Sequence, residues 1–237
     1  MSDFAFPNAH LKTKLARPAW HSLNDSHVEL SMGNETARIY RPEINAFLAA
    51  VDDNETSWQA AETLAPIDQE VFVVQAGEPP QLPNMTMTKS APCVQMIGIL
   101  DAPDHDCSYD ILTLSEADAP EMLALAELTQ PGPFRPSTYL MGQFIGVRID
   151  GRLAAMAGER FRFSGLCELS AICTHPDFQG MGLGKSLSAL KSKQIKARGE
   201  IPFLHSWKSN TRAIGLYEKL GFRILQEVTA SVFVRHG

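Results

Sequence analysis

The sequence lacks the features of membrane-spanning and secreted proteins. No apolar run approaches the roughly 18–20 residues that a membrane helix needs. The first residues, MSDFAFPNAHLKTK, lack the apolar stretch of a secretory signal. Cysteine is scarce: the four cysteines form no CxxC pair and have no histidines clustered around them, and they are Cys93, Cys107, Cys167 and Cys173. We therefore expect a cytoplasmic protein with reduced thiols, and neither a zinc site nor a disulfide framework.

Charge is unevenly distributed along the chain. The 237 residues are 44% hydrophobic and 20% charged, an ordinary globular composition that excludes a disordered or collagen-like chain. The net charge of −6 argues against general nucleic-acid binding. Residues 1–110 carry 6 basic and 16 acidic side chains, whereas residues 171–237 carry 10 basic and 4 acidic ones. The basic C-terminal third fits a local anion site, but charge alone favours a solvated helix face around Lys185.

The patterns in the first hundred residues predict a small α/β region. They indicate a hairpin, two helices and two strands, at 27–40, 43–51, 57–64, 71–75 and 93–100. A proline-rich segment, 77–92, reads as a loop, and the acidic segment 101–110 reads as a linker. We therefore divide the chain into an N-terminal α/β region, 1–106, and a C-terminal domain, 107–237.

The patterns after residue 107 predict alternating strands and helices. A capping pair, Ser115 and Asp118, begins a helix that ends before Pro131. Asp150-Gly151 predicts a hairpin turn. The predicted strands lie at 109–114, 143–149, 152–161, 167–174, 201–207, 222–228 and 230–235, and two further helices at 183–198 and 210–220. The fold class is therefore α/β with a mixed sheet.

A glycine-rich segment, Gln179-Gly180-Met181-Gly182-Leu183-Gly184-Lys185, joins a predicted strand to a predicted helix. Glycines let successive backbone N–H groups converge on one point, and the helix adds its positive end, so the segment suits a pyrophosphate. It is not a Walker loop, because Gln179 replaces the first glycine, nor a dinucleotide fingerprint, because Leu187 replaces the third. A tight turn that binds no ligand explains the glycines equally well.

Two spaced motifs resemble those of the GNAT superfamily of acyl-CoA-dependent N-acyltransferases. The first is Gln179-x-x-Gly182-x-Gly184, and the second consists of Asn210, Ala213, Leu216, Tyr217, Gly221 and Phe222. The segments CTHPDFQGMGLG, PFLH and AIGLYEKLGF look most like the subgroup of glycine N-acyltransferase-like proteins. The resemblance covers 107–237 and implies a mixed, mostly antiparallel sheet flanked by helices. Residues 1–106 would then be a degenerate half of such a domain that helps to form the acceptor pocket.

The resemblance implies acetyl-CoA as co-substrate and no metal. The pyrophosphate would lie on Gln179, Gly180, Met181, Gly182, Leu183, Gly184 and Lys185. The pantetheine would pair with the strand end Ile172, Cys173 and Thr174, where this strand and the next one splay apart. Asn210 and Tyr217 would also contact the coenzyme, although Asn210 equally suits a helix cap.

The resemblance also implies catalytic roles. Tyr217 would protonate the departing thiolate, although a tyrosine packed in the core explains its position as well. Glu168 would take the proton from the amine, with a pKa raised by partial burial, and the alternative is a surface glutamate on a sheet. Cys173 lies near the expected thioester, but no base neighbours it in the sequence, so we do not expect it to be a nucleophile.

The acceptor is expected to be a small-molecule or peptide amine. Its contacts would come from Phe134, Arg135, Tyr139 and His205, and loop packing or a satisfied strand histidine are the alternatives. The acidic N-terminal region would favour a cationic amine, although a solvated surface explains that charge as well. We expect a monomer or homodimer that binds neither nucleic acid nor membrane. Rival functions are a non-catalytic acyl-CoA sensor and an acyltransferase for longer acyl chains.

Overall fold

The computed structural model describes residues 9–103 and 107–237, so part of the expected linker at 101–110 lies outside it. Within those residues the helices are α1 (Ala9–Leu15), α2 (Pro18–Leu23), α3 (Glu55–Leu64), α4 (Ala119–Thr129), α5 (Leu183–Ala197) and α6 (Thr211–Lys219). The strands are β1 (Ser31–Gly33), β2 (Ala37–Tyr40), β3 (Leu48–Ala50), β4 (Glu70–Gln75), β5 (Met85–Gly98), β6 (Ile111–Leu114), β7 (Phe144–Ile149), β8 (Arg152–Phe163), β9 (Leu166–Thr174), β10 (Ile201–Trp207) and β11 (Phe222–Arg235). None of the described helices is long and apolar enough to cross a bilayer.

Eight strands form one sheet in the order β4-β11-β5-β10-β9-β8-β7-β6, and β1-β2-β3 form a second, small sheet. Among the described ladders only β9 and β10 run parallel; the others are antiparallel. The predicted mixed, mostly antiparallel sheet flanked by helices is confirmed. The large sheet takes strands from both sides of residue 106, because β5 lies between β11 and β10. The division into two domains at that residue stays a prediction.

Alternation along the strands separates two apolar layers. On β10, Leu204 joins the cluster that contains Leu187 of α5, whereas its neighbour Phe203 joins the cluster that contains Trp20 of α2. Successive strand side chains point to opposite faces, so α5 covers one face of the sheet and α2 covers the other. The three-stranded sheet and α3 extend the second layer through a further cluster that includes Trp58.

The structure corrects three of the expected elements. The predicted helix 43–51 is wrong: Leu48–Ala50 is a buried strand, because it pairs with β2 and tertiary pairing overrides helix propensity. The two strands expected at the C-terminus are one strand, β11, with irregular register. The expected loop 77–92 is strand from Met85 onward. Pro92 is tolerated there because the ladder to β10 begins only at the next residue, Cys93.

Candidate active site

Strands β9 and β10 diverge and open a cleft. They pair only from Leu166↔Ile201 to Glu168↔Phe203, although β9 continues to Thr174 and β10 to Trp207. Beyond that point β10 stays paired with β5, so the facing edge of β9 has no partner strand. The expected splay is therefore present. A cleft of about 560 Å³ opens at the gap, and its lining includes residues 169–174 of β9 and 205–207 of β10.

A bulge bends β9 where it lines this cleft. The pairing passes from Met156↔Cys173 to Gly158↔Ser170, which leaves one extra residue on β9. Ala171 lies within this bulge, and its backbone is in the left-handed region, with φ of 51°. Bulges commonly re-aim a strand beside a functional site. Here the bulged residues lie within the stretch of β9, Ser170–Thr174, that lines the cleft.

The glycine-rich loop lies between β9 and the start of α5, and Gln179 lines the same cleft. Gly180 and Gly182 have φ of 82° and 79°, which side-chain-bearing residues rarely adopt. The backbone N–H groups of residues 180–184 donate to no described residue, whereas the next two, of Lys185 and Ser186, donate to the Gly182 carbonyl. Five consecutive free donors at a helix N-terminus are an arrangement that can bind an anion. The Leu183 side chain, by contrast, belongs to the core.

Tyr217 projects from α6 into the cleft. Asn210 caps this helix by accepting a hydrogen bond from the Ala213 N–H at 3.1 Å, and Asn210 also lines the cleft. The Tyr217 ring packs edge-on against Phe222, and the side chain is only 9% exposed. Burial raises the pKa of Tyr217 to about 12, and its hydroxyl has no hydrogen-bond partner in the described part of the chain. A protonated hydroxyl therefore borders the cleft.

Glu168 lies beneath the cleft, with no exposed surface. Arg160 donates to its carboxylate twice, from Nε to Oε2 at 2.7 Å and from Nη2 to Oε1 at 2.5 Å, and His205 Nδ1 is 2.6 Å from Oε1. Burial alone would raise the pKa of Glu168, but the two partners outweigh burial and lower it to about 2. The expected raised pKa is wrong, because the sequence did not show that Arg160 reaches this carboxylate.

Both ring nitrogens of His205 have partners. Nδ1 meets Glu168, and Nε2 lies 2.9 Å from Gln95 Nε2. The Gln95 amide nitrogen also donates to the Leu15 carbonyl, and its oxygen accepts from Gln226. Because the Gln95 nitrogen is a donor, His205 Nε2 accepts and Nδ1 carries the proton. His205 lines the cleft, as expected of an acceptor contact, but this chain of hydrogen bonds occupies its polar atoms.

Three expected acceptor contacts lie outside this cleft. The Phe134 ring packs edge-on against Phe144, and Tyr139 packs in the same apolar cluster. The Arg135 N–H donates to the Thr138 hydroxyl within the loop. The loop that carries them does reach the cleft, but through residues 130–133. The Phe134 and Tyr139 side chains are therefore used in packing, which was the alternative explanation.

Arg160 and the cleft residues of the N-terminal region were not predicted from the sequence. Two residues of β8, Arg160 and Phe161, stand opposite the single residue Glu168, and this bulge breaks the alternation that would predict their direction. The apolar lining that was missed comes from Phe47, Phe72, Val74 and Cys93. The one available signal was the charged stretch Glu159, Arg160 and Arg162, which follows the apolar residues 153–157 on the same strand.

Comparison with known proteins agrees with this geometry. The family model described as FR47-like protein matches residues 145–233, which span the diverging strands, the glycine-rich loop and α6. A solved structure of a GNAT-family protein from Novosphingobium aromaticivorans is 40% identical, with a TM-score of 0.87, and the match covers 94% of this chain and 99% of that one. The chain belongs to the GNAT family of acetyltransferases. Members of this family use acetyl-CoA.

Other GNAT relatives are more distant. The [ribosomal protein bS18]-alanine N-acetyltransferase of Salmonella typhimurium is 30% identical over 118 residues, which are 47% of this chain and 79% of that protein. A GCN5-related N-acetyltransferase from Kribbella flavida is 19% identical, with a TM-score of 0.62 over 94% of this chain and 96% of that one, and it supports the fold alone. The glycine N-acyltransferase-like subgroup stays a prediction.

Proposed function

We propose that the protein transfers an acetyl group from acetyl-CoA to a primary amine by direct attack of the amine. One observation carries the proposal: the protonated hydroxyl of Tyr217 borders the same cleft as the unpaired edge of β9. A departing thiolate needs a proton donor of this kind, and a tyrosine that served only as core packing would not need to border the cleft.

The residues present fit coenzyme A. The free N–H groups of residues 180–184 would bind its pyrophosphate, and Lys185, one position further on, would add attraction for the phosphates. The backbone of Ile172–Thr174 would pair with the pantetheine amides as an added strand does, because this edge of β9 faces no other strand. Asn210 and Tyr217 complete the wall on the α6 side.

The thioester supplies an activated acetyl group, which the amine nitrogen attacks as the carbon–sulfur bond breaks. Tyr217 keeps its proton at neutral pH and donates it to the leaving sulfur. Cys173 lines the cleft, but burial raises its pKa to about 11, so its thiol stays protonated and is a poor nucleophile. This favours direct transfer over an acetylated cysteine.

We propose that the amine proton passes to bulk solvent, which is buffered at neutral pH, and not to a side chain of the cleft. Glu168 was the expected base, but its carboxylate is bound on both oxygens and does not line the cleft. A carboxylate with a pKa near 2 is also a weak acceptor for an amine proton. Glu168 instead acts as a positioning residue, because it orients Arg160 and His205.

Release of free thiol from acetyl-CoA, measured across a panel of amines, tests the proposal. We expect release that depends on the amine and yields the N-acetyl product. Binding of acetyl-CoA without turnover across the panel would instead favour a non-catalytic acyl-CoA sensor. Faster turnover with a longer acyl-CoA would identify an acyltransferase for longer chains. Both rivals are therefore separated by one assay.

A further inference from the structure

The charge of the cleft comes from one side chain. Among the described residues that line it, Arg160 is the only Lys, Arg, Asp or Glu. The acidic residues of the N-terminal region, which were expected to favour a cationic acceptor, contribute none of the described lining. A substrate in this cleft would therefore meet a guanidinium and no carboxylate.

The Arg160 guanidinium is held in a fixed plane. Glu168 binds one edge through Nε and Nη2, and the carbon between the nitrogens lies 4.8 Å from the ring centroids of both Phe47 and Phe161. The ion pair and the two ring contacts together fix the orientation of the guanidinium group. Only two of the five guanidinium N–H groups are used by Glu168.

The remaining edge faces the cleft. Nη1 donates to no described residue, and a Cβ built on Gly132, which lines the cleft, would lie 3.8 Å from it. A guanidinium edge with free N–H groups matches the spacing of two carboxylate oxygens. Arg160 can therefore bind a second carboxylate while it keeps Glu168.

Apolar side chains surround this donor. Phe47, which stacks on the guanidinium, lines the cleft together with Phe72 and Val74, and β11 adds Ala230 and Val232. Burying an apolar group against such a wall is favourable, whereas a second charge there would have no partner. The site thus suits a small molecule with one carboxylate and an apolar body.

We propose that the acceptor is a free amino acid with an apolar side chain, and that Arg160 binds its carboxylate. This inference rests on the proposed acetyl transfer, because it places the amine of that amino acid beside the diverging strands. Arg160 then acts as a specificity-determining residue, since acceptors without a carboxylate leave its free edge unsatisfied.

A matched series of acceptors tests the inference: L-leucine, L-leucinamide and 3-methylbutylamine, which lacks the carboxylate. We expect kcat/KM for L-leucine to exceed that for 3-methylbutylamine by about 10- to 100-fold. In Arg160→Lys the ammonium can still pair with Glu168 but has no second donor edge, so this ratio should fall toward one. Arg152→Lys, on the same strand but exposed and outside the described cleft lining, should keep the ratio.

Thermal melting and acetyl-CoA affinity report whether Arg160→Lys folds. If it does not, the double variant Arg160→Gln with Glu168→Gln removes both charges together and leaves neither buried alone. Equal or faster acetylation of 3-methylbutylamine by the unaltered protein, or an unchanged ratio in the folded variant, would overturn this inference alone. Preference for L-leucinamide would overturn it in favour of a peptide amine. A protein that binds acetyl-CoA but acetylates no amine would refute the proposed function, and this inference with it.

Discussion

Arg160 and Glu168 form a two-point ion pair across adjacent strands, with nitrogen–oxygen distances of 2.7 and 2.5 Å, directly under the cleft where β9 and β10 part. The pair closes the carboxylate to substrate and leaves one guanidinium edge open. Glu168, which was expected to be the base, therefore orients Arg160, and Arg160 is the residue that lines the cleft.

Substitution of Glu168 by alanine should chiefly destabilise the protein. Arg160 would keep a largely buried charge without its carboxylate, and breaking such a pair costs about 3–5 kcal/mol of unfolding free energy. Urea unfolding measures the loss. Arg152 lies on the same strand as Arg160, and Arg152→Ala, which breaks an exposed pair with Asp177, should cost less than about 1 kcal/mol. An alanine variant of Glu168 with normal stability and no turnover would restore Glu168 as the base.

Tyr217→Phe keeps the ring and its contact with Phe222 and removes only the hydroxyl. If that hydroxyl protonates the leaving sulfur, the single-turnover rate of acetyl transfer should fall about 10²- to 10⁴-fold. Acetyl-CoA affinity and the melting temperature should change little, because the loop and the strand edge supply the binding. A variant that transfers acetyl groups at the original single-turnover rate would leave water as the proton donor.

Gly184→Glu should abolish binding of acetyl-CoA, because it places a carboxylate among the N–H groups of the proposed pyrophosphate site. Gly184→Ala is the matched control. Its Cβ would meet only Thr174 Oγ1 at 3.7 Å and Ile172 Cγ2 at 3.8 Å, which are ordinary contacts. Calorimetry should show nearly unchanged affinity for the alanine variant. Unchanged affinity in a folded glutamate variant would show that the coenzyme lies elsewhere.

His27 should make the fold sensitive to mild acid. Burial lowers its pKa from 6.5 to about 4, and its Nδ1 lies 2.8 Å from the Tyr40 hydroxyl and 3.0 Å from the Ser22 hydroxyl. Above pH 6.5, the ordinary pKa of histidine, His27 is neutral in both the folded and the unfolded chain, so it does not change stability. As pH falls from 6.5 toward 4, the unfolded chain takes up a proton that the folded chain does not, so stability falls, by roughly 3 kcal/mol in total.

Urea midpoints measured between pH 6.5 and pH 4 would show how steeply stability falls with pH. In His27→Gln the midpoints should depend less on pH. The depressed pKa of Glu168 acts at lower pH: its contribution is complete above 4.5 and is lost as pH falls toward 2. The two effects therefore separate along the pH axis. If the urea midpoint depends equally on pH in the unaltered protein and in His27→Gln, other groups cause the acid sensitivity.

Short-range patterns predicted the C-terminal half well. The Ser115 N–H does bond to Asp118 Oδ2, at 2.8 Å, where the helix was expected to begin. Asn210 caps α6 as its position suggested, and Gly221 ends it with φ of 89°. The position of the glycine-rich loop was also predicted correctly, because Gly180 and Gly182 adopt positive φ values that favour glycine. In each case the cause lies within a few positions of the chain, so the pattern alone carries the information.

The sequence by itself determined the order of strands and helices from residue 107 to α6, the glycine-rich loop and the family resemblance, because each depends on neighbouring residues. Only the tertiary structure decided that Leu48–Ala50 is a strand, that Glu168 has a low pKa and that Arg160 faces the cleft. Arg160 and His205 lie 8 and 37 positions from Glu168 along the chain. Strand pairing and a bulge bring these three together, and a carboxylate's pKa depends on which charges lie within a few ångströms of it.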